Sequence, residues 1–141
     1  MQASSQNYRL ECLNQANFED YARITSQEGE AGGCYCAFWH QKWATMEDWL
    51  TQCKTAPEAN RDCVSERMRS GFHVGVVVYE RTTNVAVGWI SIAPITEFHW
   101  TWRRVAARGE AAKSVAGITC FTLDPKLRKT GLSKGILLAL Q

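Results

Sequence analysis

The chain has 141 residues, enough for one domain with a real core but not for two. It is 45% hydrophobic, 11% aromatic and 21% charged, which excludes a disordered chain, and its net charge of +2 excludes the dense basic face of a nucleic-acid binder. No apolar run reaches membrane-spanning length and residues 1–9 lack the apolar stretch of a signal peptide, so no membrane partner and a cytoplasmic location are expected.

Residues 8–13 alternate as a first strand. Residues 14–17 supply turn and cap residues. Phe18, Tyr21, Ala22 and Thr25 then recur at helical spacing, predicting a helix to about Gln27, ended by Gly29, Gly32 and Gly33. Residues 34–39 are a compact apolar stretch of open secondary structure. Thr45 and Asp48 form a helix start, and Met46, Trp49, Leu50 and Cys53 form one apolar stripe behind it. Pro57 opens a further helix with Ala59, Cys63, Val64 and Met68 on its inner face and Gly71 at its end. Residues 72–80 and 85–93 predict a hairpin across the turn at residues 81–84. Residues 96–113 lack a period and predict a long loop. Residues 115–123 predict a third strong strand, and residues 133–141 begin a helix with Ile136, Leu137 and Leu140 inward. The order predicts one α+β domain over residues 1–141 around a largely antiparallel sheet. The six cysteines are expected mostly as thiols, since nothing else in the chain suggests secretion.

The most informative segment is residues 123–135. A strand ends, a basic glycine-containing turn follows, and a helix begins. A helix N-terminus has unpartnered N–H groups and partial positive charge, which suits phosphate. Gly131 admits close approach, Ser133 adds a hydroxyl, and Arg128, Lys129 and Lys134 add charge. The chain holds neither GxxxxGK[ST] nor GxGxxG, so a P-loop and a Rossmann fingerprint are excluded.

The run Phe121-Thr122-Leu123-Asp124-Pro125, followed by Arg128-Lys129-Thr130-Gly131-Leu132-Ser133, resembles motif A of the GNAT superfamily of N-acetyltransferases, [Q/R]-x-x-G-x-[G/A]. Arg128 and Gly131 match, and Ser133 stands where Gly or Ala is usual. Gly88-Trp89-Ile90-Ser91-Ile92-Ala93-Pro94 resembles the third strand of bacterial members reading "GW…AP", and Cys34-Tyr35-Cys36 with Trp39 resembles their Cys-aromatic-Cys segment. The resemblance implies acetyl transfer from acetyl-CoA to an amine whose identity is open. Backbone N–H groups from Lys129, Thr130, Gly131, Leu132 and Ser133 would hold the cofactor pyrophosphate. Phe121, Thr122 and Leu123 would pair with the pantetheine arm like an added strand.

Members of that family continue beyond this helix with a fifth strand and later elements, so the chain is expected to be truncated relative to them. The strand at residues 115–123 would then be an apolar edge, and a homodimer through it is expected. The alternative is a non-catalytic GNAT-like protein acting in acyl-CoA binding or protein association.

Acetyl transfer needs a general base and an oxyanion donor. The candidate bases are Glu97 and His99, just after the predicted second hairpin strand, and Glu110. Cys120 replaces the carboxylate that family members often carry on the next strand, and core packing is its simpler role. Cys34, Cys36 and His40 with Cys53 or Cys63 have non-standard zinc spacing, so no metal is expected. Trp100 and Trp102 among Arg103, Arg104 and Arg108 suit an acceptor cleft better than nucleic-acid stacking.

Overall fold

Tyr8–Cys12 (β1), Val76–Glu80 (β2), Ala86–Pro94 (β3) and Ala116–Leu123 (β4) pair in that order, each neighbour antiparallel. This computed structural model describes residues 5–29, 32–99 and 114–140. The helices are Phe18–Thr25 (α1), Met46–Thr55 (α2), Pro57–Arg69 (α3) and Leu132–Ala139 (α4). The expected α+β class with an antiparallel sheet is therefore observed.

Both faces of the sheet are covered, which explains why Val77 and Val78, pointing to opposite sides, are both fully buried. One face packs Val77, Tyr79 and Trp89 against Phe18, Tyr21, Trp49 and Val64 from the first three helices. The other packs Tyr8, Val78, Ile90 and Leu123 under Leu132 and Ile136 of α4. Gly88 lets β3 approach β4 closely, because a Cβ there would lie 2.7 Å from the Leu123 side chain and 2.9 Å from the Thr122 carbonyl oxygen.

The capping box at α2 forms as expected. Asp48 N–H donates to the Thr45 hydroxyl (3.1 Å), and Thr45 N–H donates to the Asp48 carboxylate (3.2 Å). Met46 nevertheless lies outside the buried stripe, 59% exposed, because it sits in the first turn before α2 meets the sheet. α1 ends at Thr25 rather than Gln27, since the chain folds back and supplies Gly33 N–H to Ser26 O and Tyr35 N–H to Thr25 O. β2 starts at Val76 rather than at residue 72, where Phe72 lies exposed beneath the Arg67 guanidinium (4.4 Å). On α4, Ile136 is buried as expected and Leu140 half-buried, but Leu137 is exposed and Leu132 takes the inner position.

α3 differs most from expectation. Its inner face holds Asn60 and Val64, with Cys63 and Met68 half-buried, and Ala59 faces solvent. The rotation is set by a polar cluster. Asn60, 0% exposed, donates to Gly33 O (2.9 Å) and accepts from Gln41 Nε2 (2.9 Å) and Gln52 Nε2 (2.8 Å). Gln52 also donates to Gln41 Oε1 (3.1 Å). A buried amide so fully bonded outweighs the preference for alanine inside. Replacing Asn60→Leu strands two glutamines and one carbonyl, and should cost about 3 kcal/mol of unfolding free energy in urea titrations.

Candidate functional site

The β4–α4 turn is built in three steps. Asp124 N–H donates to Val87 O (2.8 Å), tying the end of β4 to β3. The Asp124 carboxylate then accepts from Lys126 N–H (2.9 Å) and starts a short 3₁₀ turn, Pro125–Leu127. Lys129 and Gly131 follow with φ of 62° and 82°, left-handed values of the kind found in turns whose N–H groups form an anion-binding concavity. α4 begins at Leu132 with Gly131 as its N-cap and no side chain capping it. Its first-turn N–H groups thus lack intrahelical partners and carry the positive end of the helix dipole. A Cβ on Gly131 would meet nothing within 4 Å, so the glycine is required by its φ, and the space above it is open.

A cavity of about 380 Å³ opens there. It is lined by Phe121, Thr122, Leu123, Arg128, Lys129, Gly131, Leu132 and Ser133. These are the expected cofactor residues except Thr130, whose hydroxyl turns back to donate to Leu127 O (2.7 Å). Arg128 is held at the rim, its Nε donating to Leu123 O (3.1 Å). Glu28, from the segment after α1, lines the same cavity with Oε1 3.8 Å from Arg128 Nη2. No local pattern marked Glu28, because it meets the loop only through the fold.

Glu97 and His99 lie at the other end of the strands. Pro94 pairs with Ala116, while Gly88 pairs with Leu123, so β4 separates the two ends by about 24 Å. Glu97 sits in a 3₁₀ turn, Ile95–Glu97, and its Oε2 accepts from His73 N–H (2.8 Å) while Oε1 lies 3.5 Å from His73 Nδ1. Arg67 donates to the Glu97 carbonyl. His99 is half-buried. A larger, mostly apolar cavity of about 520 Å³ lies at this end, lined in part by His73, Ala93, Pro94, Val115 and Ala116. Glu110 and the Trp100, Trp102, Arg103, Arg104 and Arg108 cluster fall outside the described residues.

All six cysteines are thiols, as expected. Cys120 faces α1 and lies against Cys36 and Thr122, so the nucleophile reading lacks a histidine partner. The adjoining bulge between Ser91 and Ile92 leaves Thr119 as the extra residue of β4, its hydroxyl donating to Ser91 Oγ (3.0 Å). Among the described residues, no three His, Cys, Asp or Glu side chains group to hold a metal ion. Among them too, no helix is long and apolar enough to cross a membrane.

His40 packs against Phe98 (5.2 Å) with both ring nitrogens buried and unbonded. Burial, helped by the charge of Arg67, lowers its pKa to about 3.

No protein-family profile and no curated protein matches this chain. Among solved structures, an N-acetyltransferase from Staphylococcus aureus Mu50 is similar with a TM-score of 0.49 and 12% identity, over 95% of this chain. The chain spans 64% of that protein's length.

The His40 shift fixes a pH dependence. Its folded pKa lies below the unfolded value of about 6.5, so the unfolded state alone takes up the proton as pH falls through that range. Stability is lost from about pH 6.5 downward, by about 2 kcal/mol at about pH 5 from this residue. In denaturant titrations the stability of wild type minus that of His40→Leu should fall by that amount as pH drops over this interval.

Proposed function

We propose that the chain binds acetyl-CoA at the β4–α4 turn and serves acetyl transfer to an amine. The observation that carries this reading is the uncapped α4 N-terminus opening, at left-handed Gly131, into a cavity lined by Arg128, Lys129 and Ser133. These groups suit a pyrophosphate: unpartnered N–H donors, two cations and a hydroxyl. On this reading the N–H groups of residues 129–133 hold the phosphates. The free edge that β4 has among the described strands, at Phe121, Thr122 and Leu123, takes the amide-bearing arm as an added strand. The cofactor supplies an acetyl thioester.

The amine acceptor would enter by the apolar cavity at the Pro94 end, which is lined by His73 but by neither Glu97 nor His99. Glu97, whose carboxylate contacts His73, and His99 are the groups to test as base. Glu97→Gln and His99→Ala should then lower turnover at least 100-fold while leaving cofactor affinity unchanged. A non-catalytic acyl-CoA-binding role is the second reading. It is favoured by one observation: residues 116–123 of β4 contain no carboxylate and no imidazole. Binding without turnover in the wild type would decide for it.

Among the described residues β4 is also an edge strand, and a homodimer pairing along it is part of the proposal. Pairing of two copies and seating of the arm would use the same edge, so sedimentation should show a dimer that acetyl-CoA weakens.

Isothermal calorimetry with acetyl-CoA tests the site directly. Gly131→Val places a branched side chain in the open space and strains a left-handed residue by about 1–2 kcal/mol, and should abolish binding. Gly131→Asn tolerates that backbone and should fold normally. Glu28→Gln removes the one carboxylate that lines the cavity among the described residues and should tighten binding several-fold at low salt. No heat with the wild type at millimolar acetyl-CoA overturns the reading.

A further inference from the structure

Two thiols of one turn, Cys34 and Cys36, meet a third that is distant in sequence, Cys120 of β4. The segment after α1 turns sharply at Tyr35 and Cys36, two consecutive non-glycine residues at φ of 49° and 50°. Left-handed backbone is unfavourable for such residues and persists only where surroundings impose it. Here the Tyr21 hydroxyl donates to Tyr35 O, and Ala37 N–H donates to Cys34 O (3.0 Å). The turn drives the Cys36 side chain into the core, onto Cys120 of β4. The two sulfurs lie 2.6 Å apart, inside the about 3.5–4.0 Å optimum of non-bonded heavy atoms. Cys34 also interacts with Cys36. Cys36 is buried, whereas Cys34 and Cys120 are half-buried.

We propose that Cys36 and Cys120 form a reversible dithiol–disulfide pair, with Cys120 the thiol that meets a hydroperoxide oxidant and Cys36 the thiol that resolves it. The Cys120 thiolate attacks one oxygen of hydrogen peroxide, the O–O bond breaks, and the departing hydroxide takes up the proton shed by the thiol and leaves as water, giving a sulfenic acid. Cys36 sulfur then attacks Cys120 sulfur, the S–O bond breaks, and a second water leaves with the Cys36 proton. Two thiols lose two electrons in all, and the peroxide takes them. The order follows from access, because only Cys120 of the two is open to solvent. It agrees with electrostatics: the Cys36 S–H, and then the Thr122 hydroxyl (3.6 Å), lower the Cys120 pKa, while the contacts with Cys120 and Cys34, and then burial, raise that of Cys36. The bond would clamp the turn after α1 to β4 and close a loop across a sequence separation of 84 residues. This inference is independent of the acetyl-CoA reading.

The test is differential alkylation and disulfide mapping of the folded protein after brief hydrogen peroxide treatment. The expected result is loss of two of the six thiols, a tryptic cross-link joining Cys36 to Cys120, and reversal by dithiothreitol. A melting temperature raised by roughly 10 °C in the oxidised form should accompany it. Cys120→Ser and Cys36→Ser should each remove that cross-link, and Cys34→Ser should retain it. Should either serine variant fail to fold, the wild-type map decides alone. A bond mapped to Cys34–Cys36, oxidation confined to exposed Cys12, or both Cys36 and Cys120 still alkylatable after denaturation overturns the proposal.

Discussion

The helical layer depends on one side-chain amide. Asn60 is the point at which α2, α3 and the turn after α1 meet, since its donor reaches Gly33 and its acceptor serves Gln41 of the intervening loop and Gln52 of α2. Apolar packing alone would let these pieces slide, because it is non-directional. Three hydrogen bonds in a dry site fix direction as well as distance. The consequence reaches beyond the helices. Gly33 immediately precedes the turn that carries Cys34, Tyr35 and Cys36, so the same amide sets how that turn meets β4.

The opposite face is held differently. α4 has eight residues, and only Leu132, Ile136 and half-buried Leu140 attach it to the sheet. Leu132 is the first residue of the helix, so burying it pins the N-terminus rather than the middle. The anchored end is the one whose N–H groups open into the cavity. Gly88 adds to this by letting β3 press against Thr122 and Leu123, which fixes where β4 ends and the turn begins. Such a site is made from backbone groups on pinned elements, so it needs few particular side chains.

That division explains what the sequence made legible. The strands were visible because valine-rich runs bounded by turn residues have few other solutions, and their ends shifted by only a residue or so except at Phe72. The α2 start was visible because Thr45 and Asp48 carry their own geometry. Loop order was visible too, from Arg128, Gly131 and the flanking strand and helix. What stayed hidden was long-range or conformational. Asn60 looks like a surface residue until Gln41 and Gln52 are brought to it, and Glu28 shows its place only when the chain after α1 lies beside Arg128. Tyr35, Cys36 and Lys129 adopt positive φ without being glycine, which no residue type announces.

The presence of Glu28 in a basic cavity needs an account, since a carboxylate opposes an anion. The Arg128–Glu28 contact is long, 3.8 Å, with Arg128 54% exposed and Glu28 32% exposed. A pair of that kind contributes about 0–1 kcal/mol. The helix terminus and the N–H groups of the turn, by contrast, have no internal competitor. An anion arriving at the turn meets donors that are already oriented and an arginine whose present partner holds it weakly. Its Nε bond to Leu123 O keeps the guanidinium at the rim, so exchanging one weak carboxylate partner for a doubly charged one requires little movement. On the proposed reading Glu28 is thus a weak partner that an incoming anion displaces from Arg128 at a small electrostatic penalty, while Leu123 O keeps the guanidinium in place.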